Sequence, residues 1–292
     1  MEEFFQFLWT GVTIGSTYAV VALGFVTIYS VSRVVNLAQG EFVMLGGMLL
    51  YTLLEAGLPL WAAAVSTVLL VALLGFLIEW GLVRRAGNAD ELSLIILTIG
   101  ASIFLRGVAS MIWGKDAVKV SSFTGDDPLM LGPVPVTPQT LWIVGTVLVL
   151  VILLYLFLEK TLTGKAFQAV ASNRTAARLM GIRPLRMSAL SFVISGVLGA
   201  AAGIVISPVL YPAYDVGTLL GVKGFSAAIL GGLGNPAGAV TGGVLMGVME
   251  SFGAGYVDSG MKDAIVFAIV LIALLIRPQG LFGEKSVGKG GL

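Results

Sequence analysis

Apolar runs of about 20 residues, the length that carries a helix across a bilayer core, recur along the whole chain. They fall near 8–30, 35–54, 60–82, 92–113, 140–158, 187–206, 217–234, 237–257 and 262–277. The pattern predicts an all-α, polytopic membrane helical bundle with eight or nine spans. Two runs are interrupted, the second by "NLAQGE" at 36–41 and the seventh by "GVKGF" at 221–225. Irregular backbone at membrane depth is tolerated only where it is buried in protein or lines water. Either run is therefore expected to be broken or re-entrant.

Composition strengthens that reading. Hydrophobic residues make up 57% of the chain and charged residues only 11%, against roughly a quarter charged in soluble domains. The 39 glycines suit a packed bundle, because small residues let helix backbones approach closely where lipid supplies no hydrophobic drive. With Cys 0 and His 0, thiol nucleophiles, disulfides, Cys/His zinc sites, Ser-His-Asp triads and histidine relays are all excluded. No catalytic residue, bound cofactor or metal site is expected on this chain. The opening "MEEFFQFLWTG" has acids where a signal peptide needs a basic region, so the first run is expected to be retained as a span. A net charge of +1 makes no case for nucleic-acid binding.

Basic residues favour the cytoplasmic side of short loops. With the N-terminus outside, the inner loops and tail hold Arg33, Arg84, Arg85, Lys160, Arg277 and a basic cluster at 164–186, whereas the outer loops hold only Lys115, Lys119 and Lys262. The C-terminus is then cytoplasmic. The outer connection, 114–139, carries Pro128, Pro133, Pro135 and Pro138 and is expected to be an extended lid or a short surface element. The Gly/Lys-rich end, 284–292, reads as a flexible tail. No soluble domain is appended, so 1–292 is expected to form a single membrane domain.

The most polar long stretch is "GKAFQAVASNRTAARLMGIRPLR", 164–186. Ser172 or Asn173 can cap a helix, "RTAARLM" suits its body, Gly181 suits the position after its end and Pro184 prevents continuation. Ala176, Ala177, Leu179 and Met180 give this short helix an apolar surface, and Arg174 and Arg178 share a face. A topology signal lying on anionic headgroups would need only the basic residues. A delimited helix implies a shape that a partner reads. No G-x-x-x-x-G-K-[ST] occurs, so any nucleotide-derived energy must come from another chain.

This stretch resembles the cytoplasmic coupling segment of ABC importer permeases, specifically the branched-chain amino-acid family. Four further blocks resemble that family in order: "GSTYAVVALGFVTIYSVSRVVNLAQGEFVMLGG" from Gly15, "LTIGASIFLRGVASMIWG" from Leu97, "KGFSAAILGGLGNPAGAVTGGVLMGVMES" from Lys223 and "KDAIVFAIVLIALLIRPQGLFG" from Lys262. The compact length, "VNLAQGEF" and "RPQGLFG" look closer to the shorter of the two paired permeases. The resemblance implies a single permease domain in a bacterial inner membrane, paired with a paralogous permease. Two cytoplasmic ATPase subunits, which bind ATP and Mg, and a periplasmic substrate-binding protein complete the assembly. Asn173, Arg174, Ala176, Ala177, Arg178, Leu179, Met180 and Gly181 would then form the ATPase-coupling surface.

Ionisable and amide groups inside the runs are candidates for the transport path. Asn36, Gln39 and Glu41 lie near the start of the second run; Glu41 could instead pair with a basic group near the inner interface. Arg106 sits well inside the fourth run and is expected to form an interhelical pair, with Glu41 or Glu250, or to contact a substrate carboxylate. Lys223 and Glu250 flank "GGLGNPAGAVTGG", whose G-x-x-x-G spacings favour close packing; alternatively "GGLGNPAG" could make a bend at the inner end of the seventh run that acts as a hinge or gate. Glu79 is expected to pair with Arg84 or Arg85. A leucine-like side chain gains on the order of 2 kcal/mol on entering an apolar site, so the passage needs few polar groups.

The expected function is translocation of branched-chain or other apolar amino acids by alternating access, driven by separate ATPases. Urea or a short amide is the alternative substrate within the same family. An ion-coupled secondary transporter would use Glu41, Arg106, Lys223 and Glu250 as coupling groups, but would have no use for the short cytoplasmic helix.

Overall fold

The apolar runs become helices because each carries few polar residues to compete for backbone bonds, and Gly, Pro or Asn marks at least one end of most of them. The structure, a computed structural model, describes residues 2–283 except 88, 126, 132 and 133; the expected tail, 284–292, lies outside the described residues. The elements in order are α1 (Glu2–Ser32), α2 (Gln39–Glu55), α3 (Leu60–Ile78), α4 (Glu91–Trp113), the strands β1 (Leu129–Leu131) and β2 (Val134–Val136), α5 (Pro138–Lys160), α6 (Leu162–Ser172), α7 (Arg174–Leu179), α8 (Pro184–Leu210), α9 (Val216–Gly231), α10 (Pro236–Tyr256) and α11 (Lys262–Ile276). The strands pair as a small antiparallel hairpin within the proline-rich connection. The expected short surface element is this hairpin.

Helix α1 runs through the middle of the molecule and is buried almost continuously from Gly11 to Ile28. A helix that is apolar all round belongs in such a position. It packs most extensively on α10 and also on α8, α9 and α5. Gly15 and Gly247 set the closest approach: a Cβ on Gly247 would lie 2.2 Å from the Gly15 Cα. The glycine spacing read from the sequence is thus used for packing. Helix α8 joins this centre to α2 and α3. Helices α4, α5 and α11 turn large apolar side chains outward, among them Phe104, Leu153 and Leu275.

Among the described residues five helices are long and apolar enough to cross a bilayer alone, or six if the bent pair α9–α10 counts as one span, against the eight or nine expected: α1, α3 with its continuation to Val83, α4, α5 and α8. Both runs expected to be interrupted fold as short helices, but the seventh is not broken at 221–225. That stretch lies inside the continuous helix α9, because Lys223 finds buried partners and the glycines sit against neighbouring helices, and the chain bends only after Gly231. Residues 33–38 leave the helical path, with Arg33 at φ 59°, so α2 starts only at Gln39. After α8 ends at Leu210 the chain turns back inward. Pro212 packs on Gly47, and Gly217, near the start of α9, abuts Gly40 near the start of α2. Helices α9 and α10 then meet at a 120° bend across residues 232–235, where "GGLGNPAG" suggested a hinge.

Helix α3 ends in a π-helical turn, Glu79–Val83, in which the Arg84 amide reaches the Glu79 carbonyl at 2.7 Å. The Arg84 guanidinium also closes on the Glu79 carboxylate at 2.8 Å. That is the expected local ion pair. Arg85 instead lies over the Trp80 ring.

Candidate functional site

One end of the molecule is built by α6 and α7. The Thr161 hydroxyl accepts from the Gly164 amide at the start of α6. Phe167 and Val170 of α6 pack with Val31 of α1 and with Ala177 of α7, which fixes both short helices to the centre of the bundle. The Arg33 guanidinium adds a bond to the Ala171 carbonyl at 3.2 Å. On the outer side Glu159 accepts from Lys165 and Gln168, each at 2.9 Å.

Helix α7 is closed at both ends by its own sequence. Asn173 is the cap: its Oδ1 accepts from the Thr175 amide at 3.0 Å and the Ala176 amide at 2.9 Å. At the far end Gly181 adopts φ 83°. Its amide bonds to the Arg178 carbonyl and that of Ile182 to the Ala177 carbonyl, the paired bonds that let a left-handed residue terminate a helix. Pro184 then occupies the first turn of α8, where its missing amide costs nothing.

The faces of α7 differ from the sequence expectation at one residue. Ala177 is 4% exposed and points into the protein, so it anchors α7 and cannot be touched by a partner. Leu179 and Met180 are 83% and 82% exposed, alongside exposed Arg174, Ala176 and Arg178. Two large apolar side chains flanked by two arginines project from the end of the molecule.

The intramembrane candidates separate into three groups. Asn36 and Gln39 are fully buried; Asn36 has a local partner and Gln39 one on α8. The Asn36 Oδ1 accepts from the Ala38 amide, shaping the turn before α2. Gln39 reaches the Ser195 carbonyl and hydroxyl through space left by Gly24.

Glu41 and Arg106 form the second group. Glu41 is 1% exposed; its Oε1 accepts from the Ser102 hydroxyl at 2.8 Å and lies 3.4 Å from the Arg106 Nε. Of the two partners considered for Arg106, the structure selects Glu41. Thr98, one turn before Ser102, bonds to the Val35 carbonyl and the Leu37 amide, so α4 also holds the turn that delivers Glu41.

Lys223 and Glu250 form the third group, with side chains 4% and 3% exposed and 2.8 Å apart. The Tyr18 hydroxyl donates to Glu250 at 2.7 Å and accepts from Lys223 at 3.1 Å. Asp263 lies 2.7 Å from Lys223 and Lys262 3.4 Å from Glu250. The network ties α1, α9, α10 and α11 together with balanced charge, which allows Lys223 and Glu250 to stay ionised while buried. Sequence reasoning missed Ser102, Tyr18, Asp263 and Lys262 as members of these groups. Only Ser102 left a signal, four residues before Arg106 and hence on its face.

A family profile described as branched-chain amino acid transport system / permease component matches residues 7–275. The chain belongs to this permease family. The permease is 32% identical to the high-affinity branched-chain amino acid transport system permease protein LivH of Salmonella typhimurium, with 99% of each chain covered. It is 33% identical to the corresponding protein BraD of Pseudomonas aeruginosa, with 98% of each covered. The autoinducer 2 import system permease protein LsrC of Escherichia coli is 29% identical over 75% of this permease and 62% of its own length. Among solved structures, PsaBC from Streptococcus pneumoniae in complex with Fab superposes with a TM-score of 0.50 over 96% of this permease and 93% of that chain, at 15% identity. That likeness concerns the fold alone. The resemblance read from the sequence blocks is therefore shown, and the protein is a multi-pass membrane permease.

Proposed function

We propose that this permease is the transmembrane subunit of an ATP-driven importer that carries branched-chain or other apolar amino acids by alternating access. A second permease, two ATPase subunits binding ATP and Mg, and an external binding protein complete the assembly. The N-terminus then lies outside and the α6–α7 end faces the cytoplasm, consistent with the basic residues gathered there. The observation that carries the coupling role is α7 itself: a helix capped at both ends, anchored by Ala177 and presenting Leu179, Met180, Arg174 and Arg178 to a partner.

In this reading ATP closes the ATPase pair, the pair moves α6 and α7, and the movement reaches α1 through Phe167 and Val170. Full-length similarity to permeases named for branched-chain amino-acid transport supports the substrate class. Co-purification of the ATPase subunits with the membrane-inserted permease tests the docking surface. Leu179→Glu with Met180→Glu should abolish co-purification, and retention at the wild-type level would refute it.

A further inference from the structure

A charged group on the outer surface of a membrane helix is costly unless water or protein covers it. Arg106 is such a group, since its side chain is 30% exposed. It lies seven residues from Trp113 at the end of α4, about 10 Å along the axis at 1.5 Å per residue. A long basic side chain could bridge much of that distance to the interface, but this one does not. It turns back toward the preceding turn of α4, where Ser102 and Arg106 both address Glu41 Oε1. The charge is held at depth while part of it faces outward.

Two further observations lie at the same level. Glu41 Oε2 has no hydrogen-bond partner among the described residues, although an ionised carboxylate has acceptor capacity on both oxygens. A Cβ placed on Gly217 would meet this same Oε2 at 2.5 Å, so the free oxygen sits beside the start of α9. Asp215 immediately precedes α9 and is exposed. The short helices α2 and α9 thus begin together inside the protein, flanked on the surface by Arg106 and by Asp215. Facing hydrocarbon would be costly for either charge, so water or protein is expected to cover both.

We propose that the junction of α2 and α9 opens on the aqueous passage and receives the charged ends of an amino-acid zwitterion, Arg106 taking the carboxylate and Glu41 with Asp215 the ammonium. This rests on the amino-acid importer reading above and adds the place and the chemistry of recognition within the membrane. The apolar side chain needs no special partner in this arrangement. Recognition of the common zwitterion here would serve any apolar amino acid delivered from outside.

The absence of cysteine from the chain makes the test direct. Single-cysteine variants Ser110→Cys, one turn beyond Arg106 on the same face of α4, and Thr218→Cys, on the exposed side of α9, are made in the complete complex in lipid nanodiscs. Each is treated with a sulfonated methanethiosulfonate and, separately, with a lipophilic maleimide, without nucleotide and with ATP. Leu153→Cys on the apolar outer face of α5 is the control. Both test positions should react with the charged reagent in at least one state, and the control only with the lipophilic one. Reaction of the test positions with the lipophilic reagent alone, or with neither, overturns the proposal.

A second arm compares Glu41→Gln with wild type. Removing one charge-assisted contact to the ligand should lower leucine uptake at limiting substrate at least about tenfold, and lower it by less at saturating leucine. Uptake equal to wild type overturns the ammonium assignment. Failure of the wild-type complex to take up leucine would refute the transport reading itself, whereas intact uptake with the contrary labelling pattern refutes only this inference.

Discussion

Replacing Lys223 by Met keeps the length of the side chain and removes the charge at the centre of a four-helix network. The Lys223 Nζ lies 2.8 Å from Glu250, 2.7 Å from Asp263 and 3.1 Å from the Tyr18 hydroxyl. Its loss leaves Glu250, buried at 3% exposure, with the Tyr18 hydroxyl and with Lys262 at 3.4 Å. Breaking a buried pair costs about 3–5 kcal/mol, mostly because the remaining charge is stranded. Lys262 still compensates Glu250 in part, so the lower end applies, about 3 kcal/mol. That is roughly a hundredfold in the unfolding equilibrium. Adding Glu250→Gln removes the stranded charge and leaves Lys262 and Asp263 as balanced, half-exposed charges at the start of α11. The double variant should therefore recover on the order of 1.5 kcal/mol relative to the sum of the single changes. Reversible unfolding of the purified permease in mixed micelles, followed by circular dichroism against denaturing detergent, measures all three. A Lys223→Met variant within about 0.5 kcal/mol of wild type, or a double variant equal to the sum, would show that the network is not energetically coupled.

Three smaller perturbations follow from the packing and the caps. Gly247→Leu drives a side chain into Gly15 at the closest approach of α1 and α10; it should destabilise the protein by at least about 1–3 kcal/mol, read as a lower midpoint in the same detergent titration. Asn173→Ala removes the side-chain acceptor of α7 and should cost about 1 kcal/mol of that helix, seen as faster amide exchange at Thr175 and Ala176 and weaker ATPase association. Gly181→Val forces a β-branched residue to φ 83°, at a cost of about 1–3 kcal/mol; it should loosen α7 without altering membrane insertion, checked by protease sensitivity at the α7–α8 junction.

Local chemistry made parts of this structure legible before any coordinates. The cap at Ser172 or Asn173, the terminating Gly181 and the boundary at Pro184 each depend on residues within a few positions, and the structure uses Asn173, Gly181 and Pro184. The interruption at 36–41 was visible because polar backbone at membrane depth needs a reason, and the non-helical stretch before the short α2 supplies it; the one read at 221–225 was misplaced, since that stretch is helical and the bend falls in "GGLGNPAG", where a hinge was the alternative reading. The orientation of Ala177 was not legible, because which face of a six-residue helix is buried depends on α1 and α6 packed beneath it. Helix α6 was missed altogether as a separate element, its boundary resting on the change of direction at Asn173. Arg106 was readable as a charge needing a partner, and Glu41 was one of two residues named for it. The Tyr18–Lys223–Glu250–Asp263 network was not, since its members come from four separate helices.

The most direct test of the account is ATP-dependent uptake of labelled leucine by proteoliposomes containing the complete complex and its binding protein. Wild type should accumulate leucine only with ATP inside the vesicle compartment that faces the ATPases, and the Leu179→Glu, Met180→Glu variant, inserted normally, should lose both uptake and ATPase association. Accumulation without ATP, driven by an ion gradient and unaffected by the α7 variant, would contradict the account.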